Sequence, residues 1–482
     1  MTHLLPRVVI AGTGGDSGKT LVSLSLLCAW RARGHRVAAF KKGPDYIDRA
    51  WLAWAADMEA RNLDPYLMPA RRLLGSFVEA AAGARVSLVE GNRGLHDGLD
   101  GAGRHSTAVL ARLLDAPVVL LVDATKTTRT AAAVALGCQR LDPDCRVAGV
   151  ILNRVAGARH EQVLRDAVDQ VTGLPVVGVI PRQRDLATLL PDRHLGLVTP
   201  AEHGERAALA TRLEQVSAHL DLDGILSLAD SAPPLADPVP EEFDPDPDPD
   251  PDPSSDPEDV DVDLHVPSAG NAVRIGYFRD AAFTFYYPEN LTALDRAGAD
   301  LVPLSALADT GLGALDALYI GGGFPETQAR GLTENSAMRG SVREAAGRGL
   351  PIYAECGGLM YLAESFTWLG ETYPMAGVLP LRLTVEKRPQ GHGYMEVETD
   401  GGSPFFESGI RLRGHEFHYS RLPADTSVET VYRVVRGTGL GQGRDGLRQG
   451  NTVASYLHLH ALGAPQWAPG MVAAARRFRG DE

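Results

Sequence analysis

Short apolar runs alternate along the first half of the chain with longer stretches of mixed polarity. The runs are rich in Val, Ile and Leu, and they are Arg7–Ala11, Val37–Lys41, Val86–Glu90, Val118–Val122, Val147–Leu152 and Val176–Ile180. Strands that are buried on both faces have this composition, and the intervening stretches have the length of helices. The pattern predicts a three-layer α/β domain with a parallel sheet, over roughly residues 1–230.

A second series of the same kind begins near Val273 and continues along the rest of the chain. Its strands are predicted to include Ala317–Ile320, Pro351–Ala354 and Val453–Leu457. A chain of 482 residues is too long for one ordinary domain. We therefore expect a second three-layer, parallel-sheet α/β domain over residues 269–482.

The segment between the two series, residues 231–268, has a different composition. Asp and Pro alternate from Asp244 to Pro253, and 13 acidic residues but no Lys or Arg lie between Asp237 and Asp263. Proline blocks regular hydrogen bonding and the aspartates repel one another, which favours an extended, disordered tether over a functional acidic tail. The formal net charge of the whole chain is −14, so the residues outside this segment have a net charge of only about −1.

Composition excludes several classes of partner. The sequence shows no basic stripe for a nucleic acid and no apolar run near the ~20 residues of a membrane helix. Its start leaves no room for a signal peptide, and Cys28, Cys138, Cys145 and Cys356 show neither metal spacing nor a disulfide framework. We therefore expect a cytoplasmic protein. A homodimer is compatible with the sequence, which does not require one.

A glycine-rich loop follows the first predicted strand and precedes a helix. It reads Gly12-Thr13-Gly14-Gly15-Asp16-Ser17-Gly18-Lys19-Thr20. Such a loop wraps backbone N–H groups around phosphate oxygens at the positive end of a helix, with Lys19 pairing the β/γ-phosphates and Thr20 ligating Mg²⁺. The alternative is a glycine-rich turn with a chance Lys-Thr pair. The sequence favours an ATP site.

Two carboxylates are expected beside this loop. Asp45 follows the second predicted strand and Glu90 ends the third. Open α/β sheets bind ligands at the carboxyl ends of their strands, and Mg²⁺ prefers a few carboxylates with phosphate and water. We therefore expect Thr20, Asp45 and Glu90 to form an Mg²⁺ site, the alternative being that each carboxylate caps a helix or turn.

The second domain contains a candidate nucleophile. Cys356 lies between a predicted strand and a helix, with glycines after it, and such an elbow exposes a nucleophile. The common fate of a lone cysteine is a place in the core. Here, however, His458 and His460 follow another strand and offer a base, and glycines in the run Gly321–Gly323 offer N–H donors for an oxyanion.

These motifs, taken together, resemble a known family. The chain is similar over nearly its whole length to the glutamine-dependent cobyrinic acid a,c-diamide synthases. The first domain resembles the dethiobiotin-synthetase type of P-loop NTPase, and the second resembles a flavodoxin-like class I glutamine amidotransferase of the cobyric acid synthase type. The matching strings are Gly12–Thr20, Gly43–Asp48, Gly94–Gly98, Gly321–Glu326, Glu355–Gly358, Arg413–Ser420 and Ser455–His460.

The resemblance implies a role for each site residue. Cys356 would be the glutaminase nucleophile and His458 its base, with oxyanion donors at Gly323 and Gly357. Asn153 would read adenine, Asp97 would orient substrate or ammonia, and Asp48 and Arg93 would bind substrate. Other class I amidotransferases carry a glutamate two residues after the histidine, where this chain has His460, which suggests a dyad in place of a triad.

The implied substrates are glutamine, ATP and a tetrapyrrole polycarboxylic acid. Two peripheral acetate groups of a cobyrinate-type macrocycle would be activated as acyl phosphates and then amidated. The chain departs from the family pattern at Arg49–Trp51, Asn92-Arg93 and His96. In these residues and in its Lys41-Lys42 pair it resembles relatives that amidate sirohaem-type tetrapyrroles. Sirohaem is therefore an alternative substrate. A non-enzymatic alternative is a nucleotide-binding regulatory protein whose amidotransferase-like domain is not catalytic.

Overall fold

The structure is a computed structural model, and the chain falls into two compact units. It describes residues 2–182, 192–193, 196–197, 199–200, 203–204, 206–236, 272–423 and 428–481. Of these, residues 2–65 and 69–236 belong to the first unit, and residues 66–68 and 272–481 belong to the second.

The first unit alternates strands and helices along most of its length. Its strands are β1 (Thr2–His3), β2 (Arg7–Gly12), β3 (Val37–Lys42), β4 (Arg61–Leu63), β5 (Val86–Gly94), β6 (Val118–Asp123), β7 (Val147–Val155), β8 (Val176–Pro181), β9 (Asp192–Arg193), β10 (Gly196–Leu197) and β11 (Leu235–Ala236). Its helices are α1 (Lys19–Ala32), α2 (Tyr46–Ala56), α3 (Ala70–Ala81), α4 (Thr107–Leu113), α5 (Arg129–Leu141), α6 (Ala158–Thr172), α7 (Arg206–Ser217) and α8 (Leu222–Asp230).

A seven-stranded parallel sheet forms the centre of this unit. The strand order is β4-β3-β5-β2-β6-β7-β8, and every neighbouring pair is parallel. Every residue of β2 and β3 is buried, as expected for strands covered by helices on both faces. Because all seven strands run the same way, the loops after β2, β3, β5, β6 and β7 meet at one edge of the sheet.

The second unit also begins with alternating strands and helices, but it then becomes mostly β. Its strands are β12 (Val273–Phe278), β13 (Ala299–Leu304), β14 (Ala317–Ile320), β15 (Ile352–Glu355), β16 (Ala363–Trp368), β17 (Glu371–Pro374), β18 (Leu379–Val385), β19 (Gly391–Thr399), β20 (Arg411–His418), β21 (Ser420–Arg421), β22 (Thr430–Arg436), β23 (Arg444–Gln449), β24 (Thr452–Ser455) and β25 (His458–Leu459). Its helices are α9 (Pro288–Arg296), α10 (Ala329–Glu334), α11 (Ser336–Gly347), α12 (Gly357–Leu362) and α13 (Trp467–Arg479), and a 3-10 turn covers Pro325–Gln328.

A ten-stranded mixed sheet organises the second unit. Its order is β13-β12-β14-β15-β24-β23-β22-β19-β20-β25. The first five strands are parallel, and from β24 onward every neighbouring pair is antiparallel. A separate four-stranded sheet has the order β17-β16-β18-β21. The nucleophile region lies at the carboxyl end of the parallel part.

The predicted α/β fold class is confirmed, with one addition. All six strands predicted for the first domain are present, and each ends within a few residues of its predicted limit. The antiparallel extension of the second sheet is not anticipated by the sequence, because strands such as β19 and β20 mix polar and apolar residues and lack the apolar runs of buried parallel strands.

The predicted linker is described only at its beginning. Leu235–Ala236 pairs antiparallel with Thr2–His3, and residues 237–268 lie outside the described residues. Within the part of the chain that the structure describes, no helix is both long and apolar enough to cross a bilayer.

Candidate active sites

The loop between β2 and α1 is packed too tightly for side chains at two of its glycines. A Cβ on Gly12 would lie 2.2 Å from Ser17 Oγ and 3.1 Å from Lys19 Nζ. Gly18 precedes α1 with φ +97°, a conformation that favours glycine. The predicted strand–loop–helix arrangement is therefore present, with the N-terminus of α1 facing the loop as an anion site requires.

Lys19 bridges this loop and the end of β5. Its Nζ donates to Gly14 O at 2.9 Å and to Arg93 O at 2.7 Å, and the residue is buried. Burial lowers the pKa of Lys19, the nearby Lys41 ammonium lowers it further, and Glu90 opposes both. These contacts hold the ammonium group where it would pair with phosphate oxygens.

A buried charge cluster lies next to Lys19. Lys41 Nζ is 2.7 Å from Glu90 Oε1 and 2.6 Å from Asp48 Oδ2, and the Lys41 side chain is only 3% exposed. Lys41 and Glu90 are partners in the register of β3 and β5, so their side chains leave the same face of the sheet. Burial lowers the pKa of Lys41, but the two carboxylates outweigh this effect and raise it.

The residues expected to hold Mg²⁺ fit that ion to different degrees. Thr20 Oγ1 donates to Glu90 Oε1 at 2.9 Å, while Glu90 Oε2, fully buried, has no hydrogen-bond partner among the described residues. Asp45 instead caps α2, since its Oδ1 accepts from the amides of Ile47 and Asp48 at 2.8 Å. Groups of three or more His, Cys, Asp or Glu suited to a metal are absent from the described ranges. Thr20 and Glu90 thus match Mg²⁺, which binds few protein ligands together with phosphate.

Asn153 lies at the end of β7 against the glycine-rich loop. Its Nδ2 donates to Ser17 O at 2.8 Å, and its Oδ1 accepts from the Arg154 amide. Arg154 in turn donates to Asp16 O and pairs with Asp123. Both residues therefore support the shape of the loop.

A cavity of about 310 Å³ lies beyond the ends of β6, β7 and β8. Its lining includes the basic residues Lys126, Arg154, His160 and Arg182, together with the threonines at 125, 127 and 128. Arg154 both lines this cavity and donates a hydrogen bond to the glycine-rich loop. Its size and its basic lining suit part of a nucleotide.

The segment after β5 is ordered by its own side chains. Asp97 Oδ2 accepts from the Gly94 amide at 2.8 Å, which closes a turn. Arg93 has φ +49° and an exposed side chain, while its carbonyl receives Lys19. His96, one of the departures from the family pattern, contacts Cys138 O through Nε2 at 2.9 Å. His96 is thus held by a contact within the first unit.

Cys356 occupies the predicted elbow in the second unit. It joins β15 directly to α12 with φ +48° and ψ −96°, a strained conformation for any residue with a side chain. Its Sγ contacts Phe417 O at 3.6 Å, and only 6% of the residue is exposed. Strain of this kind is typical of nucleophile elbows and argues against a plain core cysteine.

The surroundings of Cys356 keep its thiol protonated. Burial raises the pKa of Cys356 well above its usual range, the Glu326 carboxylate adds to this effect, and a hydrogen bond from the Gly357 amide opposes it. A thiol in this state needs a neighbouring base before it can attack.

His458 and the glycine run lie close to the elbow. A Cβ on Gly322 would be 2.5 Å from His458 Cε1, and a Cβ on Gly357 would be 3.0 Å from Gly323 N. His458 is buried, and its ring stacks on His415 at 4.7 Å between centroids. The structure thus brings together the predicted base and both predicted oxyanion donors.

Comparison with protein families identifies both units. Residues 8–195 match the CobQ/CobB/MinD/ParA nucleotide binding domain, and residues 274–466 match the CobB/CobQ-like glutamine amidotransferase domain. A protein of Magnetococcus marinus named cobyrinate a,c-diamide synthase is 41% identical over 97% of both chains. The chain belongs to the cobyrinate a,c-diamide synthase family.

Other members of the family match over similar lengths. Proteins of the same name from Archaeoglobus fulgidus and Dehalococcoides mccartyi are each 39% identical, over 95% and 98% of this chain and 95% and 99% of their own. The predicted family and its two domain types are confirmed. These three relatives are named for cobyrinate, so they give the sirohaem alternative no support.

Three residues near Cys356 are missed by the sequence analysis as functional candidates. Glu355 contacts His458, Glu326 acts on the pKa of Cys356, and His415 stacks on His458. Each of the three lies inside a sequence string that matches the family, so the motifs do indicate the region in which these residues are found. What the strings do not show is which of their polar side chains face the reacting groups.

Proposed function

We propose that this protein is a cobyrinate a,c-diamide synthase, which uses ATP to activate two acetate carboxylates of the corrin and glutamine to supply the nitrogen. The observation that carries the proposal is the match over 97% of both chains to a relative of that name. The P-loop and the cysteine elbow provide the two sites that such a reaction needs.

In the first half-reaction, a peripheral carboxylate attacks the γ-phosphate of ATP, and an acyl phosphate and ADP result. The amides of the glycine-rich loop and the Lys19 ammonium bind the phosphates and stabilise the transferring group by position and charge. Asn153 contacts the adenine side of the nucleotide. Mg²⁺, held by Thr20 and Glu90 with Asp45 nearby, would neutralise charge on the phosphates.

The corrin is bound beside the phosphate site. Arg93 extends an exposed guanidinium at the end of β5, where it meets a carboxylate of the substrate. Asp48 contributes to substrate binding through its ion pair with Lys41. Asp97 orients the substrate or the incoming ammonia from the turn that it closes after β5.

In the second unit, the Cys356 thiol attacks the side-chain amide carbon of glutamine. His458 accepts the thiol proton and passes it to the departing ammonia, and the amides of Gly323 and Gly357 stabilise the oxyanion. Water then hydrolyses the thioester to glutamate. The ammonia attacks the acyl phosphate carbon and phosphate leaves, so that each round forms one amide.

The test is mass spectrometry of cobyrinic acid after incubation with protein, ATP, Mg²⁺ and glutamine. We expect the mass changes of two successive replacements of a hydroxyl by an amino group, with ADP release at each. The Lys19→Ala variant should form no amide with glutamine or with ammonium salts. Glutamine hydrolysis without nucleotide consumption or a mass change in the corrin would reject the proposal, and nucleotide binding with no turnover would favour the regulatory alternative.

A further inference from the structure

His460 occupies the position at which other class I amidotransferases carry the glutamate that assists the base, but its contacts lie elsewhere. Its Nδ1 accepts from the Leu462 amide at 3.2 Å, and its Nε2 is 3.6 Å from Glu289 Oε2. The ring also packs on Tyr287 at 4.5 Å between centroids. The imidazole at this position is therefore engaged with Leu462, Glu289 and Tyr287.

A different carboxylate lies beside His458. Glu355 Oε2 is 3.6 Å from His458 Nδ1, and the Glu355 side chain is fully buried. Glu355 ends β15 and immediately precedes Cys356, so one short segment carries both groups. At 3.6 Å the contact is longer than a hydrogen bond, as catalytic contacts often are before substrate binds.

The remaining contacts of Glu355 are hydrogen bonds that its carboxylate accepts. Oε1 accepts from the Leu459 amide at 3.3 Å, and Oε2 accepts from Tyr319 Oη at 3.2 Å. Burial and the Glu355 carboxylate raise the pKa of Tyr319 well above its ordinary value, so the phenol remains a donor. Both oxygens of this buried side chain therefore have a hydrogen-bond partner, and these partners fix its orientation.

We propose that Glu355 is the positioning residue for His458, the group that replaces the missing glutamate of the triad. Its carboxylate favours the tautomer with the proton on Nδ1, in which Nε2 is the unprotonated nitrogen that accepts the proton of the Cys356 thiol. When the imidazolium forms, the same carboxylate stabilises its charge. The inference rests on the proposed glutaminase half-reaction and adds to it the residue that makes His458 an effective base.

The test compares Glu355→Gln with Glu289→Gln, which removes the charge of a buried glutamate beside His460 instead of His458. Glutamine hydrolysis is measured without corrin or ATP, and ammonia-driven amidation is measured separately. For Glu355→Gln we expect kcat for glutamine to fall on the order of 10²-fold with KM little changed, because the base loses orientation and charge stabilisation. The rate of ammonia-driven amidation by Glu355→Gln should stay within about threefold of the wild type. Both glutamine hydrolysis and ammonia-driven amidation by Glu289→Gln should stay within the same limit.

The conservative variant Glu355→Asp separates positioning from a merely structural role. It keeps the carboxylate, so we expect it to recover part of the kcat that Glu355→Gln loses, with KM for glutamine little changed in both variants. Near wild-type kcat in Glu355→Gln, or an equal loss in Glu289→Gln, would overturn the proposal.

If Glu355→Gln does not fold, Glu355→Asp carries the test. Its shorter side chain draws the carboxylate away from His458, so we expect kcat for glutamine to fall by about tenfold with KM little changed. An unchanged kcat in this variant would contradict the assignment. Because glutamine hydrolysis is followed without corrin, the result stands even if cobyrinic acid is not the substrate.

Discussion

The charge cluster beside the P-loop offers a sharp test of how burial and charge balance in the first unit. Lys41 is 3% exposed between Glu90, which is fully buried, and Asp48. Lys41→Met keeps an unbranched apolar side chain, one heavy atom shorter, and removes the ammonium group with its charge and its hydrogen bonds. We expect it to destabilise the first unit through the carboxylates that it leaves behind.

The magnitude follows from the distances. At an effective dielectric constant of about 20, two unit charges 2.7 Å apart attract by roughly 6 kcal/mol, but the burial of each ion costs several kcal/mol and offsets most of this. Removal of one partner from such a cluster leaves an uncompensated charge and costs about 3–5 kcal/mol. That is a large part of the stability of an ordinary domain.

The loss should depend on pH with a definite sign. Burial raises the pKa of Glu90 and Lys41 opposes this, so without Lys41 the pKa rises further. The folded variant then binds a proton that the unfolded chain releases, and its free energy of unfolding increases as the pH falls through the raised pKa. The difference from the wild type should therefore be large at pH 8 and smaller at pH 5.5.

The assay is urea unfolding of the full chain, with hydrogen exchange of peptides from β3 and β5 to assign the transition to the first unit. The Lys41→Met, Glu90→Gln double variant should recover part of the loss, because no buried carboxylate is then left at position 90. A loss below about 1 kcal/mol, the same loss at both pH values, or no recovery in the double variant would refute the charge-compensation reasoning.

Three other changes test the remaining parts of the two sites. Gly12→Ala places a methyl group 2.2 Å from Ser17 Oγ, so we expect ADP affinity measured by calorimetry to fall about tenfold, and an unchanged affinity would show that the loop has room. Cys356→Ala should abolish amidation with glutamine and retain it with ammonium salts, and loss of both in a folded variant would contradict separate sites. Burial and the Glu326 carboxylate both raise the pKa of Cys356, so Glu326→Gln should lower it and speed alkylation by iodoacetamide at pH 8. The exposed Glu334→Gln is the control, and equal rates in the two variants would argue against an effect of Glu326.

The sequence predicts the first sheet and the position of both reacting loops because each leaves a local mark. Strands buried on both faces appear as apolar runs, and the tight loop at Gly12 and Gly18 excludes side chains. The Cys356 elbow is marked by the glycines that follow it. Asp45 shows the limit of such reasoning, since an aspartate before a helix has the same pattern whether it caps the helix or binds a metal, and here it caps α2.

The contacts that tune the two sites depend instead on strand register, which no local pattern contains. Lys41 meets Glu90 because β3 and β5 pair in parallel at those residues, which are far apart along the chain. Glu355 pairs in register with Ser455, and the chain then needs only three more residues to bring His458 back to the Glu355 carboxylate. A shift of one residue in either pairing would turn these side chains to the opposite face of the sheet. The chemistry of both sites therefore depends on the packing that fixes the register, and a sequence motif alone marks where a site lies but not which of its charges act on one another.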